Sequence, residues 1–336
     1  MIRYFFTLFF SLSFLGFTGC NNNPLRVDIS GIEADITINR FDLALYNIQM
    51  DSLMSEVQKL ENEFGKFFDL YNQKIISIGS PSDEGYEEYL TAFLTDFTIL
   101  ETYKETNTLF KDLRWLEKEL EEVLQYYKYY FPDQDVPEFY SYISGFNQSV
   151  VVTEDFIGIG LDKYLGEKHA MYEALQIPKY LRYKMQKGKI VSDCAYALGT
   201  REIIYNDSID NLLSHMIHEG KLMYFTDAML PDVPDSVKIG YTTEHIKWCN
   251  KYEKDMWTYM IEKKHLFSTD LMVVKRYIDE SPFTKSFSAE SPGRTGIWIG
   301  WQIVRNYMKN NPDVSLQDLI ENSNYQEILN KSKYNP

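Results

Sequence analysis

The chain has 336 residues, 44% of them hydrophobic and 25% charged, a balance that builds a globular core rather than a disordered chain. Its 34 basic and 49 acidic residues leave a formal charge of −15. That argues against nucleic-acid binding through a broad basic face and against docking on anionic lipid by charge alone.

The first segment is a targeting signal. Arg3 is the single charge ahead of an apolar run from Tyr4 to Phe17, too short to span a bilayer comfortably and flanked like a signal h-region. The run ends in Phe17-Thr18-Gly19-Cys20, where small residues suit a lipoprotein signal peptidase and the Cys20 thiol carries the lipid. The expected organisation is a signal peptide over 1–19, a lipidated tether over 20–26, and one α+β domain over 27–336. Acyl chains contribute ~0.8 kcal/mol per buried methylene, so an acidic body with no later spanning segment stays on the membrane. The expected location is the cell envelope, facing the periplasm, with inner and outer membrane both open. Cys194 and Cys249 allow one disulfide or two buried thiols, and no C-x-x-C pair is present.

Alternation of Val27, Ile29, Ile36 and Ile38 predicts one or two strands between Val27 and Tyr46. Helical spacing follows from Asp51, with Leu53, Val57, Leu60 and Phe64 on one face, breaks at Gly79-Ser80-Pro81-Ser82, and resumes over Tyr86 to Phe97. Leu109, Leu113, Leu116, Leu120, Val123 and Tyr127 predict a helix over Leu109 to Phe131, with Glu117, Glu119, Glu121 and Glu122 on its solvated side. Past Pro132 and Pro137, three strand-like segments (Phe139 to Gly145, Val150 to Thr153, Phe156 to Leu161) read as a small meander sheet. Helices are then predicted over Lys189–Gly199, Asp207–Phe225, Thr242–His265, Asp270–Ile278 and Thr295–Lys309. The fold class is α+β, mainly α.

Ligand-type side chains are dense only at His215-Met216-Ile217-His218-Glu219, where helical spacing lets His215, His218 and Glu219 share an edge. A zinc peptidase helix needs H-E-x-x-H, with the Glu acting as base on metal-bound water. Here Leu222 stands where the second His belongs, and Gly220 weakens the helix. Three readings stay open: a structural pair, a peptidase site that has lost catalysis, and an unusual metal site joining His215 and His218 to Glu244 or Glu290. Glu244 also suits the first turn of its helix, beside Trp248 and Tyr252 on the apolar side. In the run from Ser288 to Trp301, Pro292-Gly293 makes a turn, Glu290 and Arg294 are placed to pair, and Gly296 with Gly300 leaves a smooth stripe for close packing. Neither a G-x-S-x-G elbow nor a phosphate-cradling Gly loop occurs.

Taken together, the lipobox ending at Cys20, Gly158-Ile159-Gly160-Leu161-Asp162, Leu165-Gly166, His218-Glu219-Gly220-Lys221, and the stretch from Ser291-Pro292-Gly293-Arg294 to Gly300-Trp301 resemble GldB, the gliding-motility lipoprotein family of Bacteroidetes. The resemblance implies a lipid-anchored envelope protein required for gliding, linked to the type IX secretion machinery and its envelope proteins, with no established enzymatic activity and no nucleic-acid partner. The order of a small sheet and then a His-Glu helix is also similar to zincin-type peptidases. On that likeness His218 and Glu219 match the first His and the Glu, and Leu222 breaks the motif. The expected protein is a zincin-like scaffold without catalytic residues, metal or cofactor. The alternative is an envelope metallopeptidase using zinc.

Overall fold

Period-two alternation in β2 (Glu138–Tyr142) sends Phe139 to one face of a small sheet and Tyr140 and Tyr142 to the other. β4 (Phe156–Gly160) does the same with Ile157 and Ile159 against Phe156. The sheet therefore divides two hydrophobic cores. This arrangement comes from a computed structural model describing residues 23–336; Cys20 and the signal segment lie outside the described residues. The body is α+β and mainly helical, as its sequence implies.

The sheet is not a meander. Its order is β1 (Ile38–Arg40), β2, β4, β3 (Val150–Val152), with β1 and β4 both parallel to β2 and β3 antiparallel to β4 at the edge. The cause is the loop after β2. Buried Asp162, just past β4, accepts from the backbone N–H of Ser144 (3.1 Å) and Phe146 (2.6 Å), just past β2, so the ends of β2 and β4 are tied side by side and β3 is left to the edge. β3 and β4 then form the hairpin, and β4 returns beside β2.

On the smaller core's face lie α1 (Phe41–Tyr46), α2 (Leu53–Leu70) and α3 (Tyr86–Thr95), with Phe67 stacked flat on Tyr140 at 4.3 Å, and α4 (Phe97–Leu109) packs on α3. The predicted strands between Val27 and Tyr46 reduce to β1. Residues 25–36 form an extended strap whose Leu25, Val27, Ile29 and Ile36 rest on the larger core without a partner strand, and Phe41–Tyr46 is helical. The strap lies along α5 (Arg114–Tyr130). Gln125 and Lys128 donate to the carbonyls of Ile32 and Glu33 (both 2.8 Å), Tyr130 donates to that of Leu25 (3.3 Å), and Glu117 accepts from the Ile38 N–H (3.0 Å). Leu109 ends α4 and is exposed, so the predicted helix over Leu109 to Phe131 starts five residues late.

The larger core is helical. After α6 (Ala170–Ala174) and α7 (Lys179–Arg182), α8 (Ile190–Glu202) packs on α9 (Leu212–Met229), which is buried on nearly every side. α9 starts at Leu212 rather than Asp207 because Asn211 and Ser214 form a reciprocal capping box, with Oδ1 accepting from Ser214 N at 3.0 Å and Oγ from Asn211 N at 2.9 Å. Next come α10 (Asp235–Ile239), α11 (Thr243–Glu262), α12 (Leu271–Ile278), α13 (Thr295–Asn310), α14 (Leu316–Glu321) and α15 (Tyr325–Ser332). α13 crosses α9 at Gly220 and Gly300: a Cβ on Gly300 would overlap the Met216 carbonyl, and one on Gly220 would overlap the Gly300 carbonyl. Beside this crossing, buried Asp227 accepts from Lys238 Nζ, Arg305 Nε and Trp301 Nε1, each at 2.8 Å, while Arg305 also pairs with Asp235.

Candidate functional site

α9 sends the three predicted side chains to two places. His215 and His218 face the aromatic wall of Tyr205. His215 stacks on that ring at 4.8 Å and its Nε2 lies 2.7 Å from Asp210 Oδ1. His218 meets the same ring edge-on at 5.1 Å, and its buried Nδ1 has no hydrogen-bond partner. Burial, with Lys221 and His215 nearby, pushes the His218 pKa down to about 4, so the ring is neutral at physiological pH. Leu222, in the motif's second-His position, is 2% exposed and packs toward α8 at Gly199.

A zinc peptidase needs three converging protein ligands. Among the described residues no group of three His, Cys, Asp or Glu side chains is placed to hold a metal. Glu244 is exposed on the first turn of α11, and Glu290 is exposed on the loop before α13. Neither is brought to the histidines, so the residues present do not fit the zinc that the peptidase likeness implies.

Glu219 turns the other way, into a cleft of about 750 Å³ bounded by α8, α9, α10 and the start of α13. Tyr196 Oη donates to its Oε2 at 2.7 Å. Burial raises the Glu219 pKa, and the Tyr196 hydroxyl and the Arg294 charge oppose that rise. Arg294 occupies the N-cap of α13 in left-handed backbone (φ 57°), donates to the Ile239 carbonyl, and pairs with Glu280 at 3.2 Å. The expected Glu290–Arg294 pair is therefore replaced by Glu280–Arg294. The 280–294 loop doubles back, with Thr284 N–H donating to the Pro292 carbonyl at 3.0 Å, and this delivers Glu280 to the guanidinium. Burial would raise the Glu280 carboxyl, but Arg294 and Lys184 outweigh it and hold it low. Deeper in the cleft Lys189 pairs with Asp193 at 2.5 Å, and Asp193 also accepts from Tyr164 Oη at 2.9 Å.

Sequence reasoning found Glu219 and Arg294 but missed Lys184, Lys189, Asp193, Tyr196 and Glu280. Lys189 and Asp193 stand four apart on a predicted helix, a legible signal for one pair. The rest converge from separate elements. Gly296 packs its bare Cα against Tyr277, and Trp298 and Trp301 are buried edge-to-face at 5.9 Å. Cys194 and Cys249 are both free and buried, and burial raises both thiol pKa values.

Fold and site together define a mainly helical α+β protein whose His-Glu helix is a packing axis beside a cleft of internally paired charges. The family profile of the gliding motility protein GldB matches residues 22–336, and the chain belongs to that family, a lipoprotein family with a role in gliding motility. No curated protein and no solved structure matches the chain.

Proposed function

We propose that the chain is a non-enzymatic scaffold of the cell envelope, anchored by lipid at Cys20, that supports gliding by binding other envelope proteins of the gliding and type IX secretion apparatus. Its zincin-like body keeps the order of sheet and His-Glu helix without the chemistry. One observation carries this reading. The residue after Glu219 is Gly220, where the α9 backbone meets the α13 backbone at Gly300, so the turn that would hold a catalytic centre serves the core. Two reactive groups on that turn are engaged internally, Glu219 by Tyr196 and His215 by Asp210, while His218 packs edge-on against Tyr205. Among the described residues no helix is long and apolar enough to cross a membrane.

The test is Glu219→Gln expressed in a strain lacking the protein. A catalytic base removed in this way costs ~10²–10⁴-fold in rate, whereas a scaffold loses only a proton acceptor beside Tyr196. Normal protein level with restored gliding is the expected result. Normal level without gliding overturns the reading, as does about one zinc per purified chain that disappears in His218→Ala.

A further inference from the structure

One face of α11 carries a feature that the scaffold reading leaves unused. Trp248, Tyr252, Asp255 and Tyr259 follow at spacings of four, three and four, which places them along a single helical stripe. Phe287 and Glu290 come from the 280–294 loop and close the other side, forming a pocket of about 520 Å³ open to solvent. Its rings are mutually inclined. Trp248 meets Tyr252 at 4.9 Å and 41° and Phe287 at 6.1 Å and 46°, while Tyr259 meets Phe287 at 5.6 Å and 69°. The set is an inclined, stepped aromatic wall rather than the flat platform on which a sugar ring stacks.

The lining itself is acidic. Asp255 and Glu290 are the charged residues lining the pocket, and hydrogen bonds from Ser288 and from its own backbone hold the Glu290 carboxyl below its usual range, so it stays ionised. Two of the rings already take cations, since Lys251 lies over Tyr252 at 4.7 Å and Lys263 over Tyr259 at 5.7 Å, and neither lysine lines the pocket. π-faces attract cations, arginine most often among side chains, and carboxylates accept a guanidinium in forked hydrogen bonds. A pocket this size takes a long side chain together with its flanking backbone.

We infer that the Trp248–Phe287 pocket receives an arginine side chain presented by a partner polypeptide, its guanidinium laid against the aromatic wall and its charge matched by Asp255 and Glu290. Guanidinium is preferred over ammonium because it is planar, weakly hydrated and forked.

The test uses the full chain in detergent, labelled with 5-fluorotryptophan and observed by fluorine NMR, with Trp248→Phe assigning the Trp248 resonance among the five tryptophans. The probes are acetyl-Gly-Arg-Gly-amide and its neutral citrulline counterpart. The arginine peptide should shift the Trp248 resonance saturably and the citrulline peptide should not. A double Asp255→Asn, Glu290→Gln variant should weaken arginine binding about three- to tenfold, the sum of two exposed ion pairs, with the other four resonances unmoved as a check on folding. Equal shifts from both peptides overturn the proposal, and so does unchanged binding to the double variant. A shift produced by an N-acetylglucosamine trimer but not by arginine overturns it in favour of a sugar site.

Discussion

Replacing Gly300 by alanine tests the α9–α13 crossing with a single methyl group. In an exposed helix the change from glycine to alanine stabilises by about 0.5–1 kcal/mol, through the lost freedom of the unfolded chain. At Gly300 the sign reverses. The new Cβ overlaps the carbonyl of Met216, a backbone atom that has no rotamer to retreat into, so the two helices must part. Overpacking of this kind costs ~1–3 kcal/mol. Parting the helices by half an ångström or more also forfeits about a quarter of each dispersion contact along the seam, which here includes the fully buried Trp301, Ile303 and Val304. The net destabilisation is about 2–4 kcal/mol, a large share of the ~5–15 kcal/mol that holds a domain. Urea unfolding followed by tryptophan fluorescence reads this as a midpoint lowered by about 1 M at unchanged slope, given slopes of ~1–3 kcal/mol per molar. Gly188→Ala is the matched control, because nothing lies within 4 Å of a Cβ built there; its midpoint should hold or rise. A Gly300→Ala protein that unfolds at or above the wild-type midpoint would refute the crossing as described.

Asp227→Ala should cost ~3–5 kcal/mol in thermal unfolding, because it strands the buried Lys238 ammonium, and a Lys238→Met second change should recover part of the loss. A thiol reagent should label neither Cys194 nor Cys249 in the native protein and both after denaturation, since both are free and buried; rapid native labelling would contradict their placement. Between pH 6.5 and about 4 the unfolded His218 binds a proton that the folded ring refuses, so stability falls as pH falls through that window, by about 1–2 kcal/mol after discounting for partial exposure. Urea midpoints measured across that range should lose this slope in His218→Gln. Glu219 works with the opposite sign, its raised pKa giving stability that is lost as pH rises above 4.5. Cys20→Ser should abolish palmitate labelling and leave unprocessed precursor.

Helix identity was legible wherever apolar spacing and punctuation agreed. Thr295 to Asn310 follows Pro292-Gly293 and carries Gly296 and Gly300 on its packing stripe, so both its position and its close contact were readable. The predicted start of α9 is early because Asp207 and Ser208 also suit a cap, whereas the folded chain uses the Asn211–Ser214 box and leaves Asp210 to Tyr205 and His215. Strand order was not legible, since alternation in β2, β3 and β4 says which face each residue takes but not which strand lies between the others. The choice rests on Asp162, a buried carboxylate gripping a loop eighteen residues earlier. In the cleft, Glu219 and Arg294 stood out by motif and by position after a turn. Glu280 did not, because the competing Glu290 is nearer in sequence and only the folded loop separates the two.

The strap along α5 gives the protein a directional mechanical strength. It runs antiparallel to the helix, held at Leu25 by Tyr130, at Ile32 and Glu33 by Gln125 and Lys128, and finally by Glu117 at the entry to β1. A pull along the axis of α5 from the N-terminal side loads these fastenings together and then shears β1 against β2. A pull away from α5 peels them one at a time, each bond contributing only ~1 kcal/mol. Asn23, bonded to the Pro231 carbonyl at 2.9 Å, and Arg26, paired with Asp232 at 3.4 Å, stand at the end that yields first. A load applied at the N-terminal end of the strap would thus be borne stiffly in one direction and released gradually in the other.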